Sequence, residues 1–111
     1  MTEVTDEILQ EMVNVIVDAI NPEQIVLFGS QVHGDISPDS DLDLLIIDSS
    51  SFDAERPRRT VLGDLWRSLA RFRFPLDLLL FTREEVEKWR GSGGHIIGTA
   101  LREGKVIYER G

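Results

Sequence analysis

Apolar positions follow two rhythms along this chain, and the places where one rhythm gives way to the other mark its elements. Ile8, Met12, Ile16 and Ile20 recur every fourth residue, and Leu9, Val13 and Ala19 widen the stripe, which predicts a helix ending at Asn21-Pro22. Thr5 is placed to cap that helix, and Asp6 and Glu7 suit its positive end. Ile25 to Phe28 is a short apolar run stopped by Gly29-Ser30, and Leu42 to Ile47 is a second, so two buried strands are expected around a polar loop that holds Gly34 and Pro38.

Beyond Ile47 the chain turns polar from Asp48 to Pro57 and is expected to cross the surface. Val61, Leu62, Leu65, Leu69 and Phe72 return to helical spacing, predicting a helix from Arg58 to Phe72 with Arg58, Arg59, Arg67, Arg71 and Arg73 as a basic flank, read as solvated, with an acidic partner surface or a nucleotide as the alternative. Trp66 falls off the main stripe and is a candidate contact residue, read first as a peripheral core tryptophan. Leu76 to Phe81 is a third strand with Asp77 near its start. Thr82 and Glu85 form a capping-box pair for a helix through Arg90, ended by Gly91. His95 to Glu103 is a last helix stopped by Gly104, and Lys105 to Tyr108 an edge strand. His95, among glycines, is read as structural or exposed.

Composition narrows the class. With 111 residues, 41% of them hydrophobic, the chain fits one domain spanning 1–111 around a single modest core. Twenty acidic against 12 basic residues leave a net charge of −8, which argues against direct nucleic-acid binding through phosphate neutralisation. There is no cysteine, so disulfides and thiol nucleophiles are excluded, and a zinc site would depend on His33, His95 and carboxylates. The first residues are acidic and polar and no apolar run reaches spanning length, so a cytoplasmic protein with no membrane segment is expected.

Candidate chemistry lies between Ile25 and Ile47. Side chains alternate along a strand, so Asp41 and Asp43 project from one face about 6.5–7 Å apart. Like charges that close repel, and a shared divalent cation such as Mg²⁺, which keeps ligand places for water and phosphate oxygens, removes the conflict. Gly29 permits close backbone approach, and Ser30 with the following N–H groups suits an anion. Asp77 is costly to bury unpaired in its apolar run, so it faces either solvent or the same cation.

Gly29-Ser30, ten intervening residues and Asp41-Leu42-Asp43 together resemble the signature of the nucleotidyltransferase superfamily typified by DNA polymerase beta, and in particular its minimal (MNT) domains. Gly34, Ser40 and Asp77 match further places of that pattern, and Ala100 to Arg110 is similar to its usual ending. Gln31 and His33 depart from it, standing where many relatives carry arginines. The resemblance implies an α/β fold with a mixed sheet flanked by helices. It implies transfer of AMP from ATP to a hydroxyl, with Asp41, Asp43 and Asp77 as catalytic residues and ligands of two Mg²⁺ ions, and Gly29, Ser30 and Ser40 binding the nucleotide. Within these 111 residues no extra acceptor-binding domain is expected. The resemblance therefore implies a partner protein, a toxin of the HEPN family in a hetero-oligomeric toxin–antitoxin module, adenylylated by this chain. The alternative is a non-catalytic subunit that restrains its partner by contact, and a third reading is nucleotidyl transfer to a small molecule.

Overall fold

A computed structural model describes residues 6–29, 42–49, 51–72, 75–91 and 94–110. The elements run α1 (Asp6–Ile20), β1 (Gln24–Phe28), β2 (Leu42–Asp48), α2 (Arg58–Ser68), β3 (Leu76–Thr82), α3 (Arg83–Trp89), α4 (Ile96–Glu103) and β4 (Lys105–Glu109). The strands form one sheet in the order β3-β2-β1-β4. β1 is antiparallel to both β2 and β4, whereas β2 and β3 run parallel, so the sheet is mixed as expected.

Alternation along the strands sorts the apolar residues into two layers. Ile25, Leu27, Leu42, Leu44, Ile46, Leu78 and Leu80 face Met12, Val13 and Ile16 of α1 and Val61 and Leu65 of α2. Val26, Phe28, Leu45 and Ile47 face Val86 of α3 and Ile97 and Ala100 of α4. β2 lies between β1 and β3 and is covered on both faces, and its Leu44, Leu45, Ile46 and Ile47 are fully buried, which is why it reads as an unbroken apolar run.

Local signals set the ends of most elements. Asn21 takes a positive φ of 47° after α1, a conformation asparagine tolerates, and its N–H bonds the Val17 carbonyl. Thr82 accepts from the Glu85 N–H at 3.1 Å while the Thr82 N–H donates to Glu85 Oε1 at 2.9 Å, the complete capping box expected for α3. A side chain on Gly104 would collide with the Ala100 carbonyl and Val26, so only glycine lets α4 turn this tightly into β4. The Thr5 cap lies outside the described residues.

Three expectations are corrected. Asp48 is not in a surface connection: it ends β2, is 2% exposed, and meets Arg56 at 2.5 Å, because the loop after β2 folds back and returns a counter-charge to the sheet. α2 stops at Ser68 instead of Phe72, its last turn loosening while Leu69 still reaches the core. The basic flank is not uniformly solvated, since Arg58 pairs with Glu85 at 2.6 Å and lies over the Phe52 and Phe81 rings, tying α2 to α3.

Candidate active site

The site grows from the end of β1. After Phe28 the chain turns at Gly29 with φ 82°, a left-handed conformation that L-residues rarely adopt. The turn runs against the next strand, since a Cβ on Gly29 would overlap Asp43 Oδ2 and lie 3.2 Å from its Cγ. Glycine therefore does two things here: it makes the turn and leaves room for the Asp43 carboxylate.

Asp43 occupies the middle of the arrangement. It is paired with Phe28 across the antiparallel β1–β2 ladder and with Asp77 across the parallel β2–β3 ladder. Neighbouring strands lie about 4.8 Å apart, and residues in register share a face, so Asp43 and Asp77 are neighbours on one face, with the Asp43 carboxylate against the Gly29 turn. Their face is that of Leu45, Ile47, Leu79 and Phe81, which α3 and α4 cover farther along the strands. Asp43 is half-buried and Asp77 exposed, so the carboxylates open to solvent at the rim of an apolar layer.

This pair of hard oxygen donors suits a divalent cation such as Mg²⁺, which prefers a few carboxylates and keeps sites for water and phosphate oxygens. Among the described residues no group of three His, Asp or Glu side chains converges on a point that could hold a metal. Asp41, Ser30 and Ser40, expected in the site, lie outside the described residues, as do Gln31, His33 and Gly34. The structure thus brings together Gly29, Asp43 and Asp77 of the expected set.

His95 takes no part in this site. It caps α4, its Nδ1 accepting from the Ile97 N–H at 3.1 Å, and stacks on Trp89 with ring centroids 4.4 Å apart. Trp66, read as a peripheral core residue, is 40% exposed on α2. At the opposite end of β3, burial pushes the Glu85 carboxyl up, but its bonds to Arg58 and the Thr82 backbone outweigh that and hold it below its ordinary value.

Sequence reading did not give the register between Asp43 and Asp77, although a signal for it exists. Leu42-Asp43-Leu44-Leu45 and Leu76-Asp77-Leu78-Leu79 are the same tetrapeptide, and the parallel ladder aligns them residue for residue.

The sequence profile of the polymerase beta nucleotidyltransferase family matches residues 10–111. The fold superposes on a candidate nucleotidyltransferase from Sulfolobus solfataricus with a TM-score of 0.57, over 94% of this chain and 79% of that one, at 18% identity. It superposes on a chain of a toxin–antitoxin crystal structure with AMP-PNP with a TM-score of 0.59, over 91% and 73% of the two chains, at 19% identity. At such identities the likeness to the two structures is one of fold. No curated protein matches the sequence.

Proposed function

This chain belongs to the polymerase beta nucleotidyltransferase family, and from that premise we propose that it transfers AMP from ATP to a hydroxyl on a partner protein. The partner in this reading is a HEPN-family toxin and the chain its antitoxin, a reading supported by the shared fold with a chain of a toxin–antitoxin complex that holds AMP-PNP. The observation that carries the proposal is the register of Asp43 with Asp77 beside the Gly29 turn.

In the transfer, an acceptor oxygen forms a bond to the α-phosphorus of ATP, the bond to the bridging oxygen breaks, and pyrophosphate leaves. Asp77, the more exposed carboxylate, takes the proton from the attacking hydroxyl. Gly29, with Ser30 and Ser40, receives the phosphates, the missing Cβ allowing their oxygens near the backbone. Asp41, Asp43 and Asp77 would hold Mg²⁺, which when bound neutralises charge on the entering and leaving oxygens. The carboxylates also fix where the acceptor must stand, at the rim beyond α3 and α4.

The test is incubation of the purified chain with labelled ATP and Mg²⁺, alone and with the protein encoded by the adjacent gene, reading intact masses. AMP on the neighbour, lost in Asp77→Asn, supports the proposal; a tight complex with no transfer rejects it. A contact-only antitoxin is the second reading, favoured by Gln31 and His33 in place of arginines. Replacing Asp41 and Asp43 by Asn leaves protection of the partner intact in that case and abolishes it otherwise.

A further inference from the structure

α1 and α2 cover one face of the sheet, and among the described residues no helix or strand covers them in turn. Each helix gives one side to the core and leaves the other to solvent. In α1 the core side is Met12, Val13 and Ile16, and the outer side is Glu7, Glu11, Asn14 and Asp18, all exposed and spaced four, three and four apart. α1 contains no basic residue, and among the described residues no ion pair reaches those three carboxylates.

α2 carries the opposite sign. Val61 and Leu65 face the core, whereas Arg59, Gly63 and Arg67 lie outward, with Arg71 just past the helix end. The acid beside them is Asp64, which bonds Arg67. From Arg58 to Arg71 the sequence has four basic residues and one acidic, although the chain as a whole has 12 and 20, so charge on this face is sorted by helix.

Gly63 interrupts α2 at the centre of its outer side, a place where glycine is less favourable than alanine. A Cβ there would meet the end of the Arg67 side chain at 3.6 Å and nothing closer, so among the described residues nothing requires glycine. The missing side chain leaves a low point where another helix can approach closely.

Both helices pack on one sheet face, and the last turn of α1 (Asp18, Ile20) and the start of α2 (Pro57, Thr60) line one cavity of about 480 Å³, so they run side by side in opposite directions. Asp18 is therefore level with Arg59. Glu11, about 10 Å back along α1, is level with Arg67, about 12 Å onward along α2.

We propose that this face joins two copies of the chain, about a twofold axis parallel to the helices that lays α1 of each copy over α2 of the other. Asp18 and Glu11 of one copy then meet Arg59 and Arg67 of the other, and the same contacts form twice. A twofold axis across the helices would stack α1 on α1 and α2 on α2, like charge on like, which disfavours that dimer. The net charge of −8 does not prevent the contact, because charges farther apart than about 8 Å are screened at physiological ionic strength and those that meet are opposite in sign. Asp43 and Asp77 lie on the other face of each sheet, so the dimer leaves both sites open and does not depend on the transfer chemistry.

Sedimentation equilibrium in physiological salt tests this on wild type, Glu11→Arg/Asp18→Arg, Arg59→Glu/Arg67→Glu and Gly63→Leu. Wild type should sediment at twice the 12.6 kDa of one chain. Each charge-reversed chain, and Gly63→Leu, should associate at least 100-fold more weakly, while circular dichroism and thermal melts show them folded. Mixed one to one, the two charge-reversed chains should regain a dimer, because every contact between them again joins opposite charges. Gly63→Leu changes no charge and removes a mid-helix glycine, so it decides the matter if a reversed chain unfolds. A monomeric wild type, a dimer that survives either reversal or Gly63→Leu, a mixture that stays monomeric, or a face covered only by the adjacent gene's product overturns the proposal.

Discussion

Gly29→Ala is the substitution whose consequences can be worked out most fully. Gly29 has φ 82°, and its Cα leaves no room for a methyl group beside Asp43 Oδ2. Two costs follow, and they separate. Holding an L-residue in the left-handed region costs about 1–2 kcal/mol and depends only on the backbone. Displacing the Asp43 carboxylate from its rotamer adds about 0.5–1.5 kcal/mol and depends on Asp43 being there. The sum of about 1.5–3.5 kcal/mol corresponds to a fall in Tm of about 6–15 °C for a chain of 111 residues. The assay is urea unfolding in EDTA, so that no metal enters, on wild type, Gly29→Ala, Asp43→Ala and the double variant. Asp43→Ala should relieve the second cost and leave the first, a coupling of about 1 kcal/mol, above the 0.3–0.5 kcal/mol within which independent sites add. Asp43→Asn keeps the shape of the side chain and should relieve nothing. If Gly29→Ala costs the same with Asp43 present or truncated to alanine, the close packing of the turn on the carboxylate is not what makes glycine necessary.

Asp77→Asn should abolish AMP transfer and leave stability within about 0.5 kcal/mol of wild type in thermal melts, since Asp77 is exposed and its side chain takes no part in the core. Arg56→Met removes one partner of the 2%-exposed Asp48 and should cost about 1–3 kcal/mol in urea, below the usual 3–5 for a buried pair because the arginine is 34% exposed; Asp48→Asn added to it should recover part of the loss. Thr82→Ala should cost about 1 kcal/mol and Thr82→Ser much less, because the serine hydroxyl keeps the bond from the Glu85 N–H. Glu85 has its folded pKa held below 4.5, so its contribution is present above that value and disappears as pH falls through the lower folded one; Glu85→Gln should lose stability at pH 7, and melts at successively lower pH should show the difference from wild type closing only below 4.5.

The elements were legible in the sequence wherever a local rule decides them. The four-residue recurrence in α1, the Thr82–Glu85 box and the apolar runs of β1, β2 and β3 are satisfied by neighbours in the chain, and the structure has each. Apart from the early end of α2, the misreadings concern partners that only the fold brings together. Asp48 looks like the start of a polar loop until Arg56 returns to it, and Arg58 looks solvated until Glu85, 27 residues later, meets it. The site was legible to the same extent. Gly29, Asp43 and Asp77 could be named from spacing, but no local rule states that β3 lies parallel to β2 with its aspartate opposite Asp43.

That register makes the two ends of the sheet unlike each other. At the ends of β2 and β3 where Asp48 and Thr82 lie, charges are matched: Arg56 meets Asp48, Arg58 meets Glu85, and the capping box satisfies the first backbone donors of α3. At the starts of the same strands Asp43 and Asp77 stand in register beside a left-handed turn. The leucines that flank them in both copies of Leu-Asp-Leu-Leu supply the packing of the two strands, and the core asks for no carboxylate at either position. Two acidic residues gathered beside a turn only glycine makes easily, at one end of an otherwise consistent sheet, are the mark of a binding or reacting site.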